Sequence, residues 1–481
     1  MKTHKTYYAS ALILALSLGV SAATNYTESQ HIDYQVPRTF EDGDSIIFDT
    51  PGTGIYFSTG GTATVNGAIT IEAFQGIVAL THGTVRAVLD LGVGSRVTAS
   101  TGINMGNNAT FSADNLTVVA NGPLSTTSYG FMAGGTSSVN LGSNTSISSN
   151  AATALVVSCS GGVTAVSGLR VTSVSGSGIQ TGVGITNLGT NGYVEAGGNA
   201  LTVYNTNSSS MVSADNFTFK STGYASAAVN ISGGSANITN SNLDGYYAIR
   251  VSHTFNTQDT VTIDNGTLTS RNAAIYLNGG TQAGSEKTVN IINGSTVSAD
   301  NGILLDTNNI IVGKLDVNFD GEGTVANGRI LDGVTRDTTV TVSNGAVWNT
   351  TGKSDLNNLV LDGGVINYTI GSDTDKITSG SFDVTDGTIN IGFTDEFAEG
   401  FFLSGGDFVF DLESTITNST SNLSELEVNI ATSSDKYKWD LVALENEQYK
   451  LTNFREIPEP AACAAIFGAL ALALAAYRRR K

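Results

Sequence analysis

The stretch TVTIDNGTLTSRNAAIYLNGG, residues 260 to 280, is repeated in outline by TVNIINGSTVSADNGILLDTN, residues 288 to 308. Each copy has an alternating strand, an Asn-Gly turn, a short second strand and a third apolar stretch. Alternation of apolar and polar residues is typical of a half-buried strand, and recurrence at a fixed offset is typical of a repeat fold. The pair therefore predicts a β-solenoid.

Looser copies of this pattern extend in both directions along the chain. The first inward-facing apolar residues of the copies form this series: Phe111, Val139, Val163, Val212, Ala236, Val261, Val289, Leu315 and Val340. Three short strands in a repeat of about 25 residues are typical of a parallel β-helix. A β-sandwich array is the main alternative, but its antiparallel hairpins would not place like residues at one offset per repeat. We therefore predict an all-β fold built on a parallel β-helix solenoid.

The strand pattern changes near both ends of the chain. We predict an N-terminal β cap over residues 24–60, the parallel β-helix over 61–370 and a C-terminal antiparallel β-domain over 371–456. The C-terminal prediction rests on residues 375 to 393, 406 to 413 and 436 to 444, which have the pattern of antiparallel strands. Both caps would cover strand edges that the solenoid leaves unpaired.

Composition limits the kinds of partner. The chain has 481 residues, with 42 Asp and Glu against 23 Lys and Arg and a net charge of −19. Binding to phosphate depends on Lys and Arg, so nucleic acid is not an expected partner. Cys159 is the only cysteine outside the C-terminal tail, which excludes an intramolecular disulfide in the body of the protein.

The N-terminus has the pattern of a secretory signal peptide, predicted over residues 1–23. Lys2 and Lys5 precede an apolar stretch from residue 9 to residue 20, and small residues follow it. Such a segment is recognised and removed by signal peptidase. We predict cleavage beside Ala22 and Ala23, and therefore export.

The C-terminal tail, residues 457–481, combines three features. Pro458, Glu459 and Pro460 precede the uncharged run 461–477, and Arg478, Arg479, Arg480 and Lys481 follow it. The run is just long enough for a transmembrane helix, and the basic cluster should hold that end in the cytoplasm. The order of these features resembles the PEP-CTERM sorting signal of Gram-negative bacteria. The resemblance implies an exosortase-type processing enzyme and transient anchoring in the inner membrane before delivery to the cell envelope, cell surface or extracellular matrix. A permanent membrane anchor without sorting is the alternative.

A second motif lies near the end of the predicted solenoid. Its residues are Trp348, Gly352, Ser354, Leu356, Leu359, Leu361, Gly363 and Gly364. The motif is similar to one near the end of autotransporter and pertactin-like passenger β-helices, in which the tryptophan and the spaced leucines fill the core of the last turns. The resemblance implies a right-handed coil.

Parallel β-helices also carry polysaccharide lyases and glycoside hydrolases, so catalytic groups need consideration. Asp244, Arg250 and His253 could converge on one solenoid turn, and Asp264 with Arg271 on the next. Exposed polar residues on a solenoid are more often simply solvated. An enzyme of this class is kept as the alternative function, with no catalytic residue assigned.

No cofactor or metal site is predicted. Asp316, Asn318 and Asp320 are spaced like the start of a calcium loop, but Val317 and Phe319 between them give the alternation of a strand. The leading hypothesis is a non-enzymatic, adhesin-like surface or extracellular-matrix protein. Its predicted partners, besides the processing enzymes and the membrane, are extracellular polysaccharide or neighbouring copies of the chain.

Overall fold

The structure is a computed structural model of the chain. It describes residues 23–33, 35–80, 85–122, 128–150, 152–206, 210–252, 254–279, 284–307, 313–332, 337–372, 374–411, 416–419, 425–445, 448–458, 467 and 469–472. These residues belong to two compact units. The first contains residues 1–176 and 187–189, and the second contains residues 177–186 and 190–481.

The first unit is built from short strands. They are β1 (Asn25–Tyr26), β2 (Gln30–Ile32), β3 (Arg38–Glu41), β4 (Ser45–Ile47), β5 (Thr53–Phe57), β6 (Gly61–Asn66), β7 (Thr70–Ala79), β8 (Ala87–Val93), β9 (Arg96–Met105), β10 (Ala109–Asp114), β11 (Thr117–Ala120), β12 (Phe131–Gly135), β13 (Ser138–Asn140), β14 (Ser146–Ser149), β15 (Leu155–Cys159), β16 (Val163–Thr164) and β17 (Arg170–Ser173). The next strand but one, β19 (Ile185–Thr190), contributes its residues 187–189.

The strands of the first unit stack in parallel with a period of three. β10 pairs with β13, β11 with β14, and β12 with β15. Phe111 thereby lies opposite Val139, and Val139 opposite Val163, as the repeat pattern predicts. The strands between residues 25 and 57 follow the same rule, since β1 pairs with β4 and β2 with β5, again in parallel.

The second unit contains the remaining strands of the described residues and the helix α1. They are β18 (Ile179–Val183), β20 (Tyr193–Ala196), β21 (Leu201–Val203), β22 (Met211–Asp215), β23 (Thr218–Ser221), β24 (Ala227–Ile231), β25 (Ser235–Thr239), β26 (Asn242–Gly245), β27 (Tyr247–Ser252), β28 (Gln258–Asp264), β29 (Thr267–Ser270), β30 (Ala273–Asn278), β31 (Glu286–Ile292), β32 (Thr296–Ala299), β33 (Ile303–Asp306), β34 (Lys314–Asp320), β35 (Val325–Asn327), β36 (Arg329–Leu331), β37 (Thr338–Ser343), β38 (Val347–Thr351), β39 (Ser354–Ile370), β40 (Ile377–Phe393), α1 (Asp395–Ser404), β41 (Phe408–Asp411), β42 (Ile416–Ser419), β43 (Leu426–Ile430), β44 (Tyr437–Ala443) and β45 (Gln448–Glu456).

Parallel stacking with three strands per turn also builds the second unit. Val261 lies opposite Val289 and Ile263 opposite Ile291, which confirms the register predicted from the two quoted repeats. The prediction fails by two residues one turn later, because Val289 pairs with Val317 and not with Leu315. A shift of two keeps every side chain on the same face of a strand, so alternation alone does not distinguish the two registers.

The predicted antiparallel C-terminal domain is only partly correct. β40 pairs in parallel with β39 along its length, so the expectation for residues 375 to 393 is wrong. Alternation is the same in parallel and antiparallel strands, and the pattern therefore does not fix the direction of pairing. Among the described residues, the strands of the antiparallel sheet are β41, β44 and β45.

Inward-facing residues form continuous apolar columns along the parallel strands. One column runs through Ala236, Val261, Val289 and Val317, and each of these side chains is buried. The alternate residues point outward and are mostly Thr, Ser, Asn and Asp. Burial of such columns is the main stabilising contribution, at about 25 cal/mol for each Å² of apolar surface.

The C-terminal helix prediction falls largely outside the described residues. Of residues 461–477, the structure describes only Phe467 and 469–472, which are helical. Among the described residues, none of the helices has the length and apolar character needed to cross a bilayer.

Candidate functional site

The most distinctive surface feature of the second unit is a group of aromatic and cationic side chains, which we call the tyrosine–arginine patch. It consists of Tyr224, Tyr246, Tyr247, Arg250, Arg271 and Tyr276. These residues lie on or beside β23, β27, β29 and β30, and therefore on successive solenoid turns. Parallel stacking brings them together although they span more than fifty positions of sequence.

The four tyrosine rings form a continuous series from solvent to core. The ring centroids of Tyr224 and Tyr246 are 4.8 Å apart, and those of Tyr246 and Tyr247 are 4.9 Å apart. Tyr247 then stacks on Tyr276 at 4.1 Å. Tyr224 is 84% exposed and Tyr247 is 7% exposed, so the outermost ring rests on a series whose inner member is fixed in the core.

The register of the parallel strands determines which residues of the patch lie next to one another. Asn230, Arg250 and Tyr276 are successive partners in β24, β27 and β30, and they occupy one outward-facing column. Gly245 precedes Tyr246 and Tyr247, and a Cβ atom at that position would lie 2.4 Å from the Tyr247 carbonyl oxygen. Only glycine allows the backbone to turn this closely before the aromatic pair.

Arg250 is held rigidly within the patch. Its Nε donates to Asn230 Oδ1 at 2.7 Å, and one terminal nitrogen donates to the Ala225 carbonyl at 3.1 Å. Ala225 has φ of +55°, a conformation that alanine rarely adopts. Burial lowers the pKa of Arg250, although the guanidinium stays protonated at any ordinary pH.

Arg271 joins solenoid turns that are two apart. Its guanidinium donates to the carbonyls of Ser221, Thr222 and Gly223 at distances between 3.0 and 3.3 Å. The same group lies 5.9 Å from the centroid of the Tyr246 ring, within the range of a cation–π contact. Arg271 therefore supports the loop that carries Tyr224 and also fixes one face of Tyr246.

The phenols of Tyr246 and Tyr247 stay neutral at physiological pH. Burial, followed by the neighbouring Tyr276, raises the pKa of Tyr247 to about 12. The hydrogen bond to Tyr224 is the largest cause of the raised pKa of Tyr246. The patch therefore offers aromatic faces, neutral hydroxyl groups and two guanidinium groups side by side.

Among the described residues considered for catalysis, Asp244 and Arg250 make separate contacts. Arg250 binds Asn230 and a backbone carbonyl, while His253 lies outside the described residues. Asp244 lies in β26, in register with Lys220 and Thr269. The contacts of Arg250 therefore hold its side chain within the tyrosine–arginine patch.

Asp264 and Arg271, the other residues considered for catalysis, also contact different partners. Asp264 accepts a hydrogen bond from Asn293 Nδ2 at 3.1 Å, whereas Arg271 binds backbone carbonyls. In the segment that resembles a calcium loop, Asp316 forms an ion pair with Lys314 and Asp320 accepts from Asn344 Nδ2. Val317 and Phe319 are buried between them, as expected for a strand.

The motif at the end of the solenoid forms part of the core. Trp348, Leu356, Leu359 and Leu361 are fully buried, and Trp348 Nε1 donates to the Gly328 carbonyl at 2.8 Å. The buried Ser354 hydroxyl accepts from the Ile330 N–H, and a Cβ on Gly364 would lie 2.5 Å from the Val342 carbonyl oxygen. Gly352 and Gly363 have φ of +71° and +73°.

The predicted processing residues lie at the edges of the described chain. Ala23 is the first described residue, and Ala22 lies outside. Pro458 ends the segment that follows β45, while Glu459, Pro460 and the basic residues Arg478, Arg479, Arg480 and Lys481 lie outside the described residues.

The tyrosine–arginine patch was not predicted from the sequence. The adjacent Tyr246 and Tyr247, with Tyr276 in the third strand of the next repeat, were an available signal. Aligning the third strands of successive repeats places aromatic residues on neighbouring turns. No comparable feature of the sequence indicates that Tyr224, which lies in a loop, points outward.

Comparison with known proteins gives no assignment. No protein-family model matches the chain, and no curated protein is similar to it at a significant level.

Proposed function

We propose that this protein is a non-enzymatic, adhesin-like surface or extracellular-matrix protein that binds a neutral polysaccharide through the tyrosine–arginine patch. The observation that carries the proposal is the exposed Tyr224 ring at the end of a packed aromatic series. An aromatic side chain that is 84% exposed yet supported by a second ring is suited to contact an external partner.

The chemistry of the patch favours a sugar as that partner. A pyranose ring has an apolar face of C–H groups, which packs against the negative face of an aromatic ring. Its hydroxyl groups need donors and acceptors nearby; the phenols provide both, and the guanidinium groups provide donors. Tyr and Arg are also the residues that contribute most to binding surfaces in general.

Net charge favours a neutral polymer over an acidic one. The chain carries a net charge of −19, so its long-range field repels polyanions. The two guanidinium groups of the patch are largely occupied by Asn230 and by backbone carbonyls. These acceptors are neutral, so both guanidinium groups keep their positive charge, while their fixed orientation suits their remaining N–H groups to donate to sugar hydroxyls. The preference for a neutral polymer therefore rests on the net charge of the whole chain.

The route to the cell surface is part of the proposal. We infer export by signal peptidase cleavage near Ala22 and Ala23, transient anchoring by a transmembrane helix over 461–477, and exosortase-type processing at Pro458, Glu459 and Pro460. The solenoid is proposed to be right-handed. The pattern of the tail and its resemblance to PEP-CTERM signals support this route. The intact mass of the protein in membrane and extracellular fractions tests it, since a retained basic tail in the membrane would contradict sorting.

Sedimentation of the purified protein with insoluble neutral glucans, mannans and galactans tests the binding proposal. We expect at least one polymer to retain the wild type, and we expect Tyr224→Ala and Tyr246→Ala to lower retention by about tenfold, the effect of about 1.4 kcal/mol. Phe74→Ala is the matched control, because Phe74 is an exposed aromatic residue of the first unit. Equal retention of all variants, or retention of none, would contradict the proposal.

The same incubations test the enzymatic alternative. Release of new reducing ends or of unsaturated products from any polymer would show a glycoside hydrolase or a lyase. Binding without such products, abolished by the tyrosine substitutions, would support the non-enzymatic function.

A further inference from the structure

A lysine and an aspartate lie together inside the second unit. Their side chains, Lys287 and Asp259, are 1% and 0% exposed. They are register partners in β31 and β28, and both point inward, in line with Leu315 in β34. The other inward positions of these strands carry apolar residues, so this column contains a charged pair where the neighbouring columns are hydrophobic.

The pair makes direct polar contacts within that column. Lys287 Nζ contacts Asp259 Oδ2, and it also lies 2.8 Å from Thr257 Oγ1 and 3.2 Å from the Thr257 carbonyl oxygen. The Thr257 hydroxyl donates to Asp259 Oδ2 at 2.9 Å. The Gly234 N–H donates to the other carboxyl oxygen, Oδ1, at 2.6 Å. The amine, the carboxyl group and a bridging hydroxyl are therefore fixed within reach of one another.

A permanent ion pair at this position is costly. Removing two charges from water has a penalty of several kcal/mol per ion, which mutual attraction offsets only in part. Burial lowers the pKa of Lys287, which favours the neutral amine. Transfer of the ammonium proton to Asp259 gives a neutral amine beside a neutral carboxylic acid, the reactants of amide formation.

We propose that Lys287 and Asp259 are joined by an intramolecular isopeptide bond. Nζ of the neutral amine attacks Cγ of the protonated Asp259 carboxyl group. The Gly234 N–H stabilises the negative charge that develops on Oδ1, as the donors of an oxyanion hole do. The C–Oδ2 bond breaks and Oδ2 leaves as water. One Nζ proton reaches it through the Thr257 hydroxyl, which contacts both atoms.

The reaction balances without any further reactant. An amine and a carboxylic acid give an amide and one water, and nothing is oxidised or reduced. The product removes both charges from the core, and its N–H keeps the Thr257 carbonyl as an acceptor. Asp259 and Lys287 lie on adjacent solenoid turns, so the bond would tie these turns together covalently in a protein that has only one cysteine, Cys159, outside its C-terminal tail.

Peptide mapping of the denatured full-length protein tests this proposal directly. Trypsin cleaves after Arg250, Arg271, Lys287 and Lys314 in an unmodified chain. With the bond in place, cleavage after Lys287 is lost, and peptide 251–271 is joined to peptide 272–314 with the loss of one water. Lys314 is an internal control, because its ion pair with Asp316 is exposed and should leave cleavage after Lys314 intact.

Variants distinguish the cross-link from other causes of lost cleavage after Lys287. Lys287→Arg preserves the charge but lacks the amine, and its intact mass should show no loss of water. Thr257→Val removes the bridging hydroxyl and should slow formation, seen as a mixture of linked and unlinked peptides soon after synthesis. Complete cleavage after Lys287 in the wild type, with no joined peptide, would overturn the proposal and leave a buried ion pair.

Discussion

The rings of Tyr247 and Tyr276 lie face to face, with centroids 4.1 Å apart and planes only 6° from parallel. They belong to adjacent solenoid turns, in β27 and β30. Stacked aromatic pairs of this kind contribute about 0.5–1.5 kcal/mol beyond the burial of their surface. Tyr276 thereby covers Tyr247, on which the exposed part of the patch rests.

Removing the Tyr276 ring should lower the pKa of Tyr247. Its pKa is raised from 10.0 to about 12 by burial and by the nearby Tyr276. In Tyr276→Ala we expect the pKa of Tyr247 to fall towards 10, because water reaches the phenol and the neighbouring hydroxyl is gone. Ultraviolet difference absorption during alkaline titration measures the shift. Tyr224→Ala is the control, since Tyr224 contacts Tyr246.

The same shift predicts how stability depends on alkaline pH. The folded pKa of Tyr247 lies above the unfolded value, so the folded state retains a proton that the unfolded state has lost. The resulting stabilisation is present in full below pH about 10 and is lost as the pH rises through about 12. Urea unfolding between these values should show a steeper decline for the wild type than for Tyr247→Phe. Identical profiles would contradict this contribution.

Arg271 offers a test of contacts between solenoid turns that are two apart. Its guanidinium binds the carbonyls of Ser221 and Gly223 among others, and the group is partly exposed. We expect Arg271→Ala to lower the free energy of unfolding by about 1 kcal/mol, less than for buried charged hydrogen bonds because solvent replaces part of the interaction. Arg271→Lys should recover only part of this, since lysine lacks the planar fork.

A matched control for Arg271 is available in the same unit. Arg329 is an exposed arginine in β36, and Arg329→Ala should change the free energy of unfolding by less than about 0.5 kcal/mol. Equal effects of the two substitutions would show that the Arg271 contacts do not stabilise the fold.

The sequence predicts the solenoid because its signal is repeated many times. Val261 and Val289, or Phe111 and Val139, recur at equivalent positions, and the structure pairs them as expected. Where the signal is only alternation, it is ambiguous. The two-residue error at Leu315 and the wrong direction of pairing for β40 both follow from this.

The two polar features of the second unit were beyond sequence reasoning for different reasons. Asp259 and Lys287 precede the apolar alternation of their strands, and charged residues at a strand end are ordinarily assigned to the surface. Their burial depends on the contacts with Thr257 and Gly234 from neighbouring segments. The tyrosine–arginine patch depends on the path of the loop that carries Tyr224, which no periodic pattern specifies.

Trp348 should contribute more to stability than any exposed residue of the patch. It is fully buried in β38, and Nε1 donates to the Gly328 carbonyl at 2.8 Å. Trp348→Ala should cost about 3–5 kcal/mol through the cavity it leaves, and Trp348→Phe less. The chain has two tryptophans, so Trp348→Phe leaves Trp439 as the single fluorescent reporter of the antiparallel sheet. Denaturant unfolding followed by that fluorescence measures the loss, and an unchanged midpoint for Trp348→Ala would contradict a role in the core.

Asn265 allows the two contributions of a corner asparagine to be separated. It has φ of +52°, and its Nδ2 donates to Asn240 Oδ1 at 2.8 Å, linking the corners of adjacent solenoid turns. Asn265→Gly keeps the left-handed conformation and loses the amide hydrogen bond, a cost of about 0.5 kcal/mol for an exposed group, to which the greater flexibility of glycine in the unfolded chain adds about 0.5–1 kcal/mol. Asn265→Ala also forces alanine into that conformation, which adds about 1–2 kcal/mol. Urea unfolding of the two variants should therefore rank alanine as the less stable. A glycine variant that is less stable than the alanine variant would show that the left-handed backbone conformation is not what requires asparagine at this corner.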